Sequence, residues 1–231
     1  VNSSVTNVTV FNNLVGLRIG AVNTTVSGVT AHDNQEDGIF ILESAPLTVS
    51  GVDVYRNKNG IRSDTTDHPT ARGGPRVTAA SVTNGRIYNN TEYGAKVNTY
   101  MNKFSNLSFS GNSKGSFDFF DDASNMTIPS FLCNYTLDNL TSGGLPLLYA
   151  TDNVSITNAE FGELILCGAD NSTIENVSLR GGGFYVWQTN NAILNNISSF
   201  GSAYGARVSS SRNNNFTHLR FGNDSTGLIL T

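Results

Sequence analysis

The stretch VSGVDVYRNKNGI (49–61) holds three signals in thirteen residues. Val49, Val52 and Val54 are spaced three and then two. The step of two is the strand period, which puts alternate side chains on one face. The extra residue in the step of three predicts a bend or bulge between two short strands. Asn57 follows, a residue type that tolerates left-handed backbone and bonds its own turn, so it predicts a sharp corner. Gly60-Ile61 then opens another short strand. One unit therefore reads strand, bend, strand, Asn corner, Gly, strand.

The same unit recurs on both sides of this stretch. Gly16-Leu17-x-Ile19, Gly38-Ile39-x-Ile41 and Gly60-Ile61 are 22 residues apart. So are Gly183-Phe184-x-Val186, Gly205-Ala206-x-Val208 and Gly227-Leu228-x-Leu230 near the other end. Apolar triads precede them: Val5/Val8/Val10, Val26/Val29/Ala31, Phe104/Leu107/Phe109, Ile156/Ala159/Phe161, Ile174/Val177/Leu179 and Phe216/Leu219/Phe221. Val82/Gly85/Ile87 and Leu194/Ile197/Ser199 are looser copies. Around 126–142 both Met126/Pro129/Phe131 and Leu137/Leu140/Ser142 fit. Corner residues fall at Asn13, Asn34, Asn57, Asn90, Asn112 and Asp224.

A fixed period of this size predicts stacked units, each burying its apolar face against its neighbours. No window carries a sustained 3.6-residue apolar period, which excludes a helix-bearing repeat. A β-sandwich has no reason to keep this register at both ends of a chain. A propeller needs about 40 residues per blade. The expectation is an all-β chain: one parallel β-helix domain over residues 1–231, of about ten coils.

With NGRIYNN (84–90) and VSGVDVYRNKNGI (49–61), the chain resembles the right-handed parallel β-helix repeats of pectin-lyase-like proteins, in their NosD-like and archaeal cell-surface branch. The resemblance spans nearly the whole chain. It implies a fold and leaves function open, because such coils serve lyases, hydrolases, tailspikes, adhesins and surface proteins. NosD-like proteins are associated with copper delivery, which would want Met, His and Cys ligands. Here His32, His68 and His218 are dispersed, as are the two methionines and two cysteines, so no metal site and no cofactor is expected.

Charged residues make up 14% of the chain, and the net charge is −4. That balance excludes a nucleic-acid partner, which would need a basic stripe. No apolar run reaches the length of a membrane-spanning helix. Asparagine occurs 30 times. Low charge with abundant Asn, Ser and Thr suits stacked coils, whose outward side chains can form hydrogen-bonded ladders.

Fourteen Asn-x-Ser/Thr sequons start at Asn2, Asn7, Asn23, Asn89, Asn106, Asn125, Asn134, Asn139, Asn153, Asn171, Asn176, Asn196, Asn215 and Asn223. Several flank the same inward residue of the repeat, so repeat grammar accounts for part of the excess. The remainder predicts a secreted glycoprotein at a cell surface. Cys133 and Cys167 read either as a disulfide, within or between chains, or as buried thiols.

Two segments break the register. Residues 64–77 add about eleven residues between Gly60 and Gly94 and carry Asp64, Asp67, His68, Arg72 and Arg76, a contact-loop set. Residues 121–143 form the second excursion. Asp118, Asp121 and Asp122 are the candidate catalytic carboxylates for a polysaccharide lyase or glycoside hydrolase. The Gly-His-Gly and Arg-Ile-Lys motifs that accompany paired aspartates in polygalacturonases are missing. Glu160 and Glu163 are a second acidic pair, and Tyr93, Tyr100 and Trp187 are candidate sugar platforms. The first coil starts at once and the last stops in mid-repeat, without a capping helix. The leading expectation is therefore a non-catalytic surface protein that polymerises with copies of itself into a sheath, layer or fibre. The alternative is a polysaccharide-binding or polysaccharide-degrading module.

Overall fold

A computed structural model describes residues 3–21, 23–42, 46–64, 80–98, 102–119 and 133–231. It is an all-β parallel β-helix of about nine turns, with no α-helix among the described residues. None of those residues forms a helix long and apolar enough to cross a membrane. Two compact units are present: Val1–Asn112 with Ser116–Asn139, and Ser113–Gly115 with Leu140–Thr231.

In the first unit the triads build one parallel sheet, β1 (Ser3–Phe11), β3 (Thr24–His32), β5 (Leu47–Tyr55), β7 (Ala80–Tyr88) and β9 (Lys103–Ser110). The glycine strands build another, β2 (Leu17–Ile19), β4 (Asp37–Leu42), β6 (Asn59–Asp64), β8 (Tyr93–Asn98) and β10 (Gly115–Asp118). Every triad position stacks on its equivalent. Val5 pairs with Val26, Val26 with Val49, Val49 with Val82 and Val82 with Phe104. Val29, Ala31, Val49 and Val54 have no exposed surface, and each such valine contributes about 1.5–3 kcal/mol of burial.

In the second unit the triads form β13 (Ser155–Phe161), β15 (Thr173–Arg180), β17 (Ile193–Phe200), β19 (Asn215–Thr217) and β20 (Arg220–Gly222). The glycine strands form β12 (Leu145–Ala150), β14 (Glu163–Cys167), β16 (Phe184–Trp187), β18 (Tyr204–Ser209) and β21 (Thr226–Leu230). Leu164, Leu166, Phe184 and Val186 meet Ile174, Val177, Leu179 and Leu194 in one core.

The residue skipped in each triad is the bend. Asn7, Asn84, Asn106, Asn139, Asn158, Asn176 and Asn196 sit there with φ between 49° and 60°. Gly28 and Gly51 take the same place with φ 64°. The ladder pairing passes over them: Thr6 pairs with Ser27 and Val8 with Val29. On the surface these asparagines bond along the stack. Asn106 donates to Asn84 at 3.1 Å and Asn139 to Asn106 at 2.8 Å. Asn176 donates to Asn158 at 3.1 Å and Asn196 to Asn176 at 2.8 Å.

The corner asparagines serve a different purpose from the one expected of them. Asn34, Asn57, Asn90 and Asn112 are absent from the left-handed region; Asp33, Arg56, Asn89 and Gly111, one residue earlier, occupy it. The corner amides instead form a buried ladder. Asn57 Oδ1 accepts from the Asn34 backbone N–H at 3.0 Å and from Asn34 Nδ2 at 2.9 Å. Asn90 Oδ1 receives the Asn57 N–H at 3.0 Å, and Asn112 Oδ1 the Asn90 N–H at 3.1 Å. An amide carries acceptor and donor together, so one side chain satisfies the preceding coil and its own turn. The glycine beside it is needed for space: a Cβ on Gly38 would lie 2.8 Å from the Gly60 carbonyl and 2.7 Å from Asn57 Nδ2.

The second excursion is shorter than the sequence suggested. β11 (Thr136–Ser142) is a strand, and Thr141–Ser142 pair antiparallel with Leu145–Pro146 of β12. Gly143 and Gly144, at φ 59° and 83°, close that hairpin as two consecutive left-handed residues must. Of the two competing triads, Leu137/Leu140/Ser142 is therefore a repeat copy. Residues 126–131 lie outside the described residues.

Candidate functional site

The glycine strands of the first unit alternate inward and outward residues. Ile39, Ile41, Ile61, Ala95 and Val97 point into the core, each at most 1% exposed. The residues between them face outward and fall in one register. Arg18 pairs with Phe40, Phe40 with Arg62 and Arg62 with Lys96. Neighbouring strands place these side chains about 4.8 Å apart along the stack. The guanidinium carbons of Arg18 and Arg62, on the strands flanking Phe40, lie 5.4 and 5.1 Å from its ring centre. Phe40 thus spaces two planar cations by cation–π contact.

Three carboxylates border this row, each nearly buried: Asp37 at 2% exposure, Asp64 at 3% and Asp118 at 6%. Charged residues are seldom so buried unless paired. Arg62 Nη2 lies 2.6 Å from Asp64 and Nη1 4.0 Å from Asp37. Asn59 Nδ2 donates to Asp37 at 3.0 Å. Lys96 Nζ lies 3.9 Å from Asp118. Burial pushes the Asp37 carboxyl above the usual carboxylate range, against the weaker opposing pull of the Asn59 hydrogen bond and the Arg62 charge. The face therefore holds cationic donors, an acid whose pKa is raised by burial and an ion-paired acid. Together these groups can bind hydroxyls and carboxylates from both sides.

A second ordered row runs along the triad strands of the same unit. Phe11, His32, Tyr55 and Tyr88 stack with ring centres 5.3, 5.0 and 5.0 Å apart. Their faces cover one another, so the interior rings offer no platform to a sugar. Arg56 makes two hydrogen bonds to Asp33, at 2.7 and 2.6 Å, and His32 Nδ1 lies 2.6 Å from Asp33. The Arg56 bonds first, and His32 second, hold the Asp33 carboxyl far below its usual range.

The matching outward row of the second unit is Tyr149, Ile165, Tyr185, Arg207 and Ile229. Ile165 and Tyr185 are each 2% exposed. Glu163, in the neighbouring row, is fully buried, whereas Glu160 pairs with Arg180 at 2.6 Å on another strand. The two glutamates do not form the acidic pair expected of them. Trp187 at 2% and Tyr93 at 4% exposure are buried and present no ring face to solvent.

Of the residues singled out in the sequence, Asp118 and Asp64 join the first-unit face. Asp121, Asp122, Asp67, His68, Arg72, Arg76 and Tyr100 lie outside the described residues, as do Asn2 and Asn125. Both Cys133 and Cys167 are disulfide-bonded, and neither is a free thiol. Sequence reasoning missed Arg18, Phe40, Arg62, Lys96, Asp37 and Asn59. The signal lay in the unassigned x of the Gly-apolar-x-apolar motif, which reads Arg18, Phe40, Arg62 and Lys96 over four copies.

The sequence profile of a family described as the right handed beta helix region matches residues 1–132. No curated protein sequence gives a significant match. Among solved structures, the enzymatically active domain of bacteriophage CBA120 tailspike protein 2 aligns over 99% of this chain and 39% of its own, at 12% identity and a TM-score of 0.47. The catalytic domain of Agl-KA aligns over 98% of this chain and 47% of its own, at 15% identity and a TM-score of 0.38. The chain thus spans less than half the length of either structure.

Proposed function

Because the chain belongs to the right-handed β-helix family, we propose that it is a polysaccharide-binding module whose ligand lies along the outward face of β2, β4, β6, β8 and β10. One observation carries this reading: Arg18, Phe40, Arg62 and Lys96 stand in register on consecutive strands, with Asp37, Asp64 and Asp118 held beside them. A linear polymer of hydroxylated rings needs repeated donors and acceptors at a regular spacing. Stacked coils supply that spacing from the backbone, so no side chain has to reach for it. Paired ionic groups also suit this role, since a hydroxyl can insert between partners and bond to both. An extracellular setting accompanies the proposal and is supported by the disulfide-bonded cysteines, which an oxidising compartment permits.

Retention of the protein on a panel of acidic and neutral polysaccharides tests the reading. Wild type binds at least one, and Lys96→Ala together with Arg18→Ala weakens that binding about tenfold, or roughly 1.4 kcal/mol. Unchanged retention by the double variant overturns it.

Asp37 favours a second reading, degradation of the bound polymer. Burial raises the Asp37 pKa, and Arg62 reaches from Asp37 to the ion-paired Asp64; two carboxyls in unlike environments are what an acid and base pair in glycoside hydrolysis requires. Release of reducing ends, lost in Asp37→Asn, supports this reading. No release from any bound polysaccharide removes it and leaves binding intact.

A further inference from the structure

Six of the sequons contrast two structural settings, and Asn23 and Asn223, exposed at φ 52° and 57°, share the corner setting. Those at Asn106, Asn139, Asn176 and Asn196 occupy the bend of the triad. There each Nδ2 donates to the asparagine of the preceding coil, at 2.8 to 3.1 Å. N-glycosylation replaces one hydrogen of this nitrogen with the anomeric carbon of a sugar. A ring that takes the place of the ladder hydrogen falls in the gap of about 4.8 Å between coils, already filled by the neighbouring amide.

Asn89 and Asn171 are different. Both sit at corners in left-handed backbone, with φ 54° and 59°, and both are exposed. Their backbone groups are engaged: the Asn89 N–H donates to the Ser110 carbonyl at 3.0 Å and that of Asn171 to the Asn190 carbonyl at 2.9 Å. Neither Nδ2 donates to another described residue. The coil above Asn89 offers Gly111, which has no side chain to crowd it; the Asn89 amide already lies over the site a Cβ would take. The sequon hydroxyl residues Thr91 and Thr173 lie two positions on.

We propose that Asn89 and Asn171 are N-glycan acceptors, and that the bend sequons at Asn106, Asn139, Asn176 and Asn196 stay unmodified in folded protein. The glycosyl group comes from a lipid-linked oligosaccharide; the anomeric carbon–phosphate bond breaks, the carbon–Nδ2 bond forms, and one amide proton is released with the lipid phosphate. A sugar ring wedged at a bend would hold neighbouring coils apart, a larger penalty than loss of the ladder bonds alone. The inference concerns the surface chemistry of the fold and does not depend on polysaccharide binding.

The test is secretion of this chain from a glycosylating eukaryotic host behind the host's own signal peptide, which makes the outcome independent of native localisation. Peptide mapping of secreted and retained protein is expected to find glycan at Asn89 and Asn171, absent one at a time in Thr91→Ala and Thr173→Ala. A variant carrying Ser108→Ala, Thr141→Ala, Ser178→Ala and Ser198→Ala keeps every ladder asparagine and is expected to show the same glycan count in secreted protein. Occupancy of the bend sequons in secreted protein equal to that of Asn89 and Asn171 overturns the inference. So does the absence of glycan at both corner sites in either fraction.

Discussion

The glycine strands of the two units carry the same inward pattern and opposite outward ones. In the first unit the outward row is Arg18, Phe40, Arg62 and Lys96, bordered by Asp37, Asp64 and Asp118. In the second it is Tyr149, Ile165, Tyr185, Arg207 and Ile229. Stacking fixes what points inward, because a coil that breaks the apolar column exposes its neighbour. It leaves the outward row to other demands. Burying three carboxylates beside a cationic row adds desolvation cost that a mere scaffold has no need of.

The corners differ in the same way. The first unit uses a single buried amide ladder, Asn34, Asn57, Asn90 and Asn112. At the equivalent corner of the second unit, Asp224 accepts from the Ser202 N–H at 2.8 Å and from its hydroxyl at 2.9 Å. Hydroxyls serve elsewhere in that unit. Thr189 Oγ1 accepts from the Ala169 N–H at 3.2 Å and donates to the Trp187 carbonyl at 3.0 Å, while Ser211 Oγ accepts from the Thr189 N–H at 3.1 Å. The corner requirement is an oxygen at a fixed point, and three side-chain chemistries meet it.

That contrast can be broken most sharply at Asn57. Asn57→Asp keeps the acceptor but aims a second oxygen at the Ala31 and Tyr55 carbonyls and at Asn90 Oδ1, all of which now receive Nδ2. Denaturant unfolding at neutral pH is expected to show a loss of more than about 3 kcal/mol. Burial raises the pKa of the introduced carboxyl above its unfolded value. The native state therefore binds the extra proton, and stability returns at low pH and falls as pH rises through the raised pKa. A second-unit counterpart, Thr189→Val, removes one acceptor and one donor without changing shape. It is expected to cost about 1–2 kcal/mol with no pH dependence. Equal losses in the two variants would erase the distinction between amide and hydroxyl corners.

The outer ladder gives a smaller effect. Asn176→Ala loses its bonds and strains a φ of 55°, for about 1 kcal/mol. Asn176→Gly loses the same bonds without strain and is expected to cost less in the same unfolding assay. The reverse order would mean that left-handed backbone strain is not what selects asparagine there. The smallest effect is expected at Asp37. Its raised pKa means that its contribution is full below the unfolded value and lost as pH rises through the folded one. Asp37→Asn therefore matches wild type under acid conditions and melts slightly higher at neutral pH. A lower melting point at neutral pH would contradict the reading of Asp37 as a desolvated acid.

The fold was legible because its constraint repeats: three apolar positions and a glycine per coil are enough to expose a period of 22. The corner asparagines were legible in place but not in cause. Left-handed tolerance and ladder formation favour the same residue type, and only geometry separates Asn34 from Asp33. The candidate face was harder to see. Its row is composed of the one residue per motif that the repeat does not constrain, and its carboxylates are scattered from Asp37 to Asp118. Proximity arises only when coils stack, so neither Asp121-Asp122 nor Glu160 with Glu163, neighbours in sequence, pointed to it.

The difference between the two outward rows can be tested at equivalent positions. Calorimetric titration of the best-bound polysaccharide into Arg62→Gln and Arg207→Gln, each first shown to unfold cooperatively, is the direct measurement. The account predicts that Arg62→Gln weakens binding about tenfold or more, while Arg207→Gln binds as wild type does. Wild-type affinity in Arg62→Gln, or equal loss in both variants, would contradict it.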